Sequence, residues 1–277
     1  MLSLHTNNAA LSAQNAISKT QSNLSTSMTR LSTGYRINSA MDDAAGLQIA
    51  SRLKAQSSGM TVAMRNTQNA TALLQTAEGA LSEVSNIVVR MKDLATQAAD
   101  SASTDADKTA MNAEFAELGK ELVNIMDNTS FGGAKLLKAG EGTLDSEMKF
   151  QIGAGAEEVM AVDVSGALGT VETALTATLA ITDADGATAA ITALTTALDN
   201  VGALRSDIGA AANRLEHVNN NLANISTNTK QATGLIMDVD FATESANMTS
   251  SQMLLQAGTA MLKQSNSMSS MVMSLLQ

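Results

Sequence analysis

Leu254-Leu-Gln-Ala-Gly-Thr-Ala-Met261-Leu-Lys-Gln-Ser-Asn-Ser-Met268-Ser-Ser-Met271-Val-Met-Ser-Leu275 decides the fold. Its Leu and Met residues at 254, 261, 268 and 275 stand seven apart, with Ala257 and Met271 at the intervening position. A strict seven-residue repeat lays one apolar stripe along a helix and favours a left-handed supercoil with a partner. The opposite end carries the same signal, with Ile17, Leu24 and Leu31 seven apart and Met28 between them. Neither stretch contains proline, because the chain has 0 Pro. Ser, Thr, Asn and Gln fill the space between the stripes, where a solvent-facing helix would carry Glu and Lys.

The shortage of charge says what kind of partner is expected. From Met1 to Thr29 the ionisable side chains are His5 and Lys19, and from Ser245 to Gln277 there is Lys263 alone. If identical chains stack, a buried like-charge pair roughly 5 to 10 Å apart costs about 2 to 3 kcal/mol at an effective dielectric near 20. Neutral polar residues avoid that cost, which a helical polymer would repeat along its length. The bland alternative is a pair of loosely ordered tails.

Composition bounds the rest. The 277 residues are enough for one or two domains with a real core. A net charge of -10 argues against nucleic acid as a partner and offers no basic face for anionic lipid. No apolar run approaches the ~20 residues that span a bilayer, so no membrane partner is expected. The start, Met1-Leu2-Ser3-Leu4-His5-Thr6, has neither a basic segment nor an apolar core of the kind a cleavable signal needs. The chain has no Cys, hence no disulfide or thiol chemistry.

Between the ends the helical pattern continues. Leu74, Leu81, Val88 and Ala95 are seven apart, with Ala77, Val84, Met91 and Ala98 at the intermediate position. The stripe stops at the polar turn Asp100 to Asp105, which can cap the next helix. Met111, Phe115, Leu118, Leu122 and Ile125 form a third stripe, ending before Asn128-Thr-Ser-Phe-Gly-Gly133. A fourth carries Leu194, Val201, Ile208, Leu215 and Leu222, with Ile191, Leu198, Val218 and Ile225 alongside. One stretch follows a period of two. Met148, Phe150 and Ile152 alternate with polar neighbours, Gly153-Ala-Gly-Ala156 turns the chain, and Met160, Val162 and Val164 alternate again, which predicts a hairpin. The Ala-, Gly- and Thr-rich run from Ser165 to Ala187, with Asp183-Ala-Asp-Gly186, reads as a surface turn and the place for variation. The fold class is therefore mainly α: a long antiparallel helical bundle or coiled coil with paired terminal helices and a small β-hairpin.

No set of residues converges on chemistry, and no catalytic residue, cofactor or metal is expected. Asp183, Asp185 and Gly186 begin like a calcium loop, but the further oxygen ligands and the closing Glu are missing. Asp42 and Asp43 lie ahead of Ala44-Ala-Gly-Leu47, and Asp238 and Asp240 ahead of another helical run. Capping explains both pairs better than acid–base work. His5 and His217 are isolated, without zinc spacing, and Gly153-Ala-Gly155 does not lead from a strand into a helix as a phosphate loop must.

Four separated runs carry a resemblance. Leu31-Ser-Thr-Gly-Tyr-Arg-Ile-Asn-Ser-Ala-Met-Asp-Asp-Ala-Ala-Gly-Leu47 closely resembles the N-terminal signature of bacterial flagellins. Ile236-Met-Asp-Val-Asp-Phe-Ala-Thr-Glu244, followed by Leu254 to Ala260 and Met271 to Leu276, resembles the C-terminal one. Asn128-Thr-Ser-Phe-Gly-Gly133 and Leu204-Arg-Ser-Asp-Ile-Gly-Ala-Ala-Ala-Asn-Arg-Leu-Glu216 add two more matches in the same order. The similarity covers nearly the whole chain apart from Ser165 to Ala187. Tyr35, Met41, Leu235 and Val239-Asp-Phe241 depart from the family pattern, and the missing charge at Leu235 bears on a contact between shell and core.

The resemblance implies a short flagellin that polymerises with itself into the motility filament, outside the cell, without large outer domains. It implies an inner core of terminal helices at 1–40 and 238–277 and a helical shell at 41–237, the latter including the hairpin at about 147–165 and a variable segment at about 165–187. Core assembly falls to Ile17, Leu24, Met28, Leu31, Leu254, Met261, Met268, Met271 and Leu275. It further implies export through a type III apparatus and partners in an export chaperone, cap and hook-junction proteins. Arg90, Leu94 and Glu114, with Gln97 nearby, match the surface read by the vertebrate receptor TLR5. Met273, Leu275 and Leu276 resemble the segment sensed by cytosolic NAIP receptors. The rival reading is a helical signalling hairpin of the chemoreceptor type, which would lack the β-hairpin at Met148 to Val164.

Overall fold

The computed structural model describes residues 7–176 and 180–275, with side chains described for all of these except 175–176 and 268–275. Six helices carry most of it: α1 Asn8–Thr33, α2 Ala44–Ala98, α3 Asp105–Asn128, α4 Ser165–Thr176, α5 Ala184–Met237 and α6 Phe241–Leu275. Between α3 and α4 lie four short strands, β1 Ser130–Phe131, β2 Ala134–Lys135, β3 Met148–Gln151 and β4 Val159–Val162, with a 3-10 turn at Thr143–Asp145. The chain divides into a terminal unit, Met1–Gln56 with Asn228–Gln277, and a central unit, Ser57–Thr227.

The central unit has a closed core. Every member of the α2 stripe from Leu74 to Ala98 is buried, and Phe115, Leu122 and Met126 of α3 and Leu194, Val201, Leu204, Ile208 and Leu215 of α5 bury against it. The connection between α2 and α3 is short, and the Arg90 guanidinium donates to Glu114 at 3.0 and 2.6 Å. Residues nearly equidistant from the turn therefore meet, as they must in an antiparallel hairpin. Helices α2 and α5 are also antiparallel: Met60 and Ala63 cluster with Leu222, while Glu78, further along α2, accepts from Arg205, further back along α5, at 2.7 Å. Thr104 caps α3 in a reciprocal box with Asp107, fulfilling the expectation for the polar turn.

The predicted hairpin is present. β3 and β4 pair antiparallel, Met148 with Val162 and Phe150 with Met160, placing Met148, Met160 and Val162 on the buried face. Its tip rests on α2, where a Cβ added at Gly59 would stand 2.7 Å from the Ala154 Cβ. A second, smaller hairpin forms where the sequence suggested only a helix end. β1 pairs with β2 through Gly132 and Gly133, whose φ of 59° and 89° suit the mirror-image turn that short hairpins prefer.

The expected surface turn from Ser165 to Ala187 is corrected. Residues Ser165–Thr176 form α4, with Leu168 and Val171 one turn apart in the core, and Ile181 is buried as well. Asp183, the supposed start of a calcium loop, accepts from the Gly186 N–H at 2.7 Å and caps α5. Ile225, assigned to the α5 stripe, is exposed.

In the terminal unit α1 and α6 run antiparallel. Asn7 donates to Ser265 at 3.1 Å near one end, and Arg30 faces Glu244 at 3.8 Å near the other. Helix α1 closes on Gly34, at φ 76°, whose N–H returns to the Arg30 carbonyl. The following residues cross the α5–α6 link as a two-stranded contact: Arg36 N–H donates to the Met237 carbonyl at 2.6 Å and Val239 N–H to the Gly34 carbonyl at 3.0 Å.

Candidate assembly surface of the terminal helices

Helix α6 carries two seven-residue repeats side by side, and α1 takes one of them. Met248, Leu255 and Leu262 are half-buried, with Glu244, Ser251, Gly258 and Ser265 completing their stripe. On α1 the matching half-buried positions are Ile17, Leu24 and Leu31, alternating with Ala13, Thr20 and Ser27. Small residues select this stripe because they let the backbones approach. A Cβ at position 258 would stand 2.8 Å from the Ile17 Cγ1, so glycine there sets the spacing of the pair.

The stripe expected from the sequence lies beside this one and is open to solvent. Leu254 is 60% exposed, Met261 68% and Met253 60%, with Ala257 exposed between them. Among the described residues α1 covers the neighbouring stripe and leaves Leu254 and Met261 open. Of the proposed assembly residues, Ile17, Leu24 and Leu31 come together on the α1–α6 seam, while Met28, Leu254 and Met261 face out. Met268, Met271, Met273, Leu275 and Leu276 lie outside the residues whose side chains are described. Sequence reasoning missed Met248, Leu255 and Leu262, although they too stand seven apart.

Further apolar side chains of the terminal unit are exposed around its chain crossing: Tyr35, Met41, Leu235 and Phe241. Two caps fix the helix starts here. Asp43 accepts from the Gly46 N–H at 2.8 Å at the start of α2, and Asp240 accepts from the Ala242 N–H at 3.0 Å and the Thr243 hydroxyl at 2.7 Å at the start of α6. Asp42 closes the preceding turn, accepting from the Ser39 and Asn38 N–H groups. Those bonds hold the Asp42 carboxyl below its ordinary range, Ser39 contributing most, and the Thr243 hydroxyl followed by the Ala242 N–H does the same for Asp240.

The Arg90–Glu114 pair lies on the central unit with both side chains about half exposed, at 52% and 48%. Gln97 is exposed, whereas Leu94 is buried in the core at 2%. Among the described residues there is no group of three His, Asp or Glu placed to hold a metal, and no helix is long and apolar enough to cross a membrane.

Residues 4–141 match the family model of the bacterial flagellin N-terminal helical region, and residues 191–276 that of the bacterial flagellin C-terminal helical region. A flagellin of Halalkalibacterium halodurans is 42% identical over 251 residues, covering 90% of either chain. Polar flagellin C of Vibrio parahaemolyticus is 32% identical in an alignment of 387 positions that covers both chains fully. Among solved structures, Bacillus cereus flagellin aligns with a TM-score of 0.51 and 32% identity, covering 57% of this chain and 88% of that one. A Vibrio parahaemolyticus structure assigned as a flagellar hook-associated protein reaches a TM-score of 0.56 at 16% identity, covering 71% and 99%, and shares the fold alone.

Proposed function

The chain belongs to the bacterial flagellin family and is a structural subunit of the flagellar filament, and from that premise we propose that the open face of α6 is its main assembly surface. The observation that carries this is a helix half covered by its own chain, with Leu254, Met261 and Met253 left in water on a surface almost free of charge. Burying each of these side chains against a neighbouring copy contributes about 1.5 to 3 kcal/mol. Contacts between copies are heterologous and non-closing, the geometry that yields a helical polymer rather than a ring. In the sequence Met268, Met271 and Leu275 continue the same seven-residue repeat, and Ile17, Leu24 and Leu31 support the face from behind by positioning α6.

The inner core comprises 1–40 and 238–277 and the surrounding shell 41–237. The subunit is secreted through a type III apparatus, held by an export chaperone beforehand and met by cap and hook-junction proteins at the filament ends. It has no catalytic role. A signalling hairpin of the chemoreceptor type is set aside, since the β3–β4 pairing and both family matches are foreign to it.

The test is seeded growth followed by negative-stain electron microscopy, with a Leu254→Gln, Met261→Gln double variant. Wild-type subunits extend seeds and the variant does not, while its central unit melts unchanged. Normal extension by the variant would remove α6 from the interface.

Host recognition is a second reading, favoured by the accessible Arg90–Glu114 pair. In it Arg90 and Glu114 touch TLR5 and Leu94 positions them from the core, while Met273, Leu275 and Leu276 serve NAIP receptors. Arg90→Ala should lower the signal in a TLR5 reporter assay without altering filament growth, and an unchanged signal argues against it.

A further inference from the structure

Six of the chain's 17 methionines fall within α6, and two of them, Met253 and Met261, stand in water on its open face. Ala257 lies four residues from each of them and three from Leu254, so the four side chains form one patch on one side of the helix. A methionine thioether is an adaptable apolar group until it is oxidised and a polar sulfoxide afterwards, and exposure decides which sulfurs react. The chain sorts its methionines sharply by exposure. Met60, Met91, Met126, Met148 and Met160 are closed in the central unit, at no more than 7% exposure, whereas Met28, Met41, Met253 and Met261 are half exposed or more. Cysteine is absent, so no thiol of the chain competes for an oxidant.

We propose that Met253 and Met261 are reversible oxidation sites whose sulfoxides bar the subunit from the filament. The inference rests on the assembly reading of α6 given above. With hydrogen peroxide as oxidant, a sulfur lone pair attacks one oxygen and the S–O bond forms as the O–O bond breaks. The departing hydroxide takes the proton carried by the transferred oxygen and leaves as water. A dithiol reverses the change, removing the oxygen as water and ending as a disulfide. Oxidation alters no charge and breaks no core contact, because both side chains already lie in water. Its cost falls on assembly. Against a neighbouring copy each sulfoxide oxygen is a strong acceptor that must leave water, and the Leu, Met and Ala around it offer no donor. Once a subunit is in place, the burial that stabilises it also closes both sulfurs to peroxide. Oxidised subunits are refused, and incorporated ones are shielded.

Full-length subunits treated with hydrogen peroxide test it, with peptide mass mapping to locate the sulfoxides. Met253 and Met261 should oxidise at a rate near that of the open Met41, and the five core methionines about tenfold more slowly. The treated subunit should keep its helical signal and thermal midpoint, while its critical concentration for seeded growth rises about tenfold or more. Methionine sulfoxide reductases supplied with a dithiol should restore growth as they remove the oxygen. Met253→Leu with Met261→Leu conserves volume and apolar character. That variant should grow as wild type does and stay within about twofold of it after peroxide, whereas Met28→Leu with Met41→Leu should remain sensitive. Unchanged growth of subunits carrying both sulfoxides overturns the proposal, as does a Met253, Met261 double variant that loses growth as wild type does. Normal growth by the unoxidised Leu254→Gln, Met261→Gln variant would instead overturn the assembly reading of α6, and this proposal with it.

Discussion

The central and terminal units are built from the same kind of helix and differ in what they do with apolar surface. In the central unit, α2, α3, α4 and α5 enclose a continuous core, with Leu74, Leu81, Val84, Val88, Val201 and Leu204 removed from solvent completely. Among the described residues of the terminal unit only Ile37 and Ala50 are buried apolar side chains, while Leu11, Met28, Leu235, Phe241, Met253, Leu254 and Met261 face water. The first pattern is that of a domain that folds on its own contacts. The second is that of a helix pair held by one narrow seam, whose remaining described hydrophobic surface its own chain leaves open. The proposed assembly face thus lies in a different part of the sequence from the enclosed core.

The contrast can be broken most sharply by truncation. Removing Leu254 to Gln277 should abolish filament growth on seeds in electron micrographs while the central unit unfolds at its wild-type midpoint; growth of the truncated chain would erase the division of labour. Next in size, Leu204→Ala should destabilise the free subunit by about 3 to 4 kcal/mol in chemical denaturation, because a fully enclosed leucine leaves a cavity. Leu254→Ala, on an open face, should change that same midpoint by less than about 0.5 kcal/mol. Equal losses at the two positions would mean that the terminal face is already covered in the free chain.

A smaller effect is expected at the seam. Gly258→Val places methyl groups where the Ile17 side chain already sits, and should cost about 1 to 3 kcal/mol of α1–α6 pairing. Loss of helical circular dichroism beside an intact central unit would report it. Smallest is the acid response of the α6 cap. Hydrogen bonds from the Thr243 hydroxyl and the Ala242 N–H hold the Asp240 carboxyl below the ordinary aspartate value of 3.8. The cap is therefore fully present above that pH and is lost as acidification passes through the lowered folded value. Asp240→Asn, which cannot titrate, should flatten the helical loss below pH 3.8, and an identical acid profile would show that the cap contributes nothing there.

The sequence made the central unit legible because burial there is sharply periodic. The α2 stripe is a run of Leu, Val, Met and Ala at heptad spacing, and the β3–β4 hairpin announces itself by a period of two around paired glycines. What escaped had weak contrast or competing signals. Helix α4 carries two inward residues, Leu168 and Val171, among Ala, Gly and Thr, and its composition resembles a loop. The β1–β2 hairpin is too short to show alternation, and only Gly132-Gly133 hinted at it. On α6 the stripes starting at Met248 and at Leu254 obey the same repeat, so periodicity could not choose between them. The choice was made by Gly258, Ser251 and Ser265, whose small size allows α1 to approach, and sequence spacing alone does not rank small residues above Leu and Met. The Arg30–Glu244 contact joins two residues from opposite ends of the chain and was invisible for that reason.

Hydrogen exchange, compared between free subunits and filaments residue by residue, bears most directly on the separation of folding from assembly. The central unit should be protected in both states, and α1 and α6 should exchange rapidly in the free subunit and become protected in the filament. Full protection of α1 and α6 in the free subunit, at the level of Leu74 to Ala98, would contradict the account.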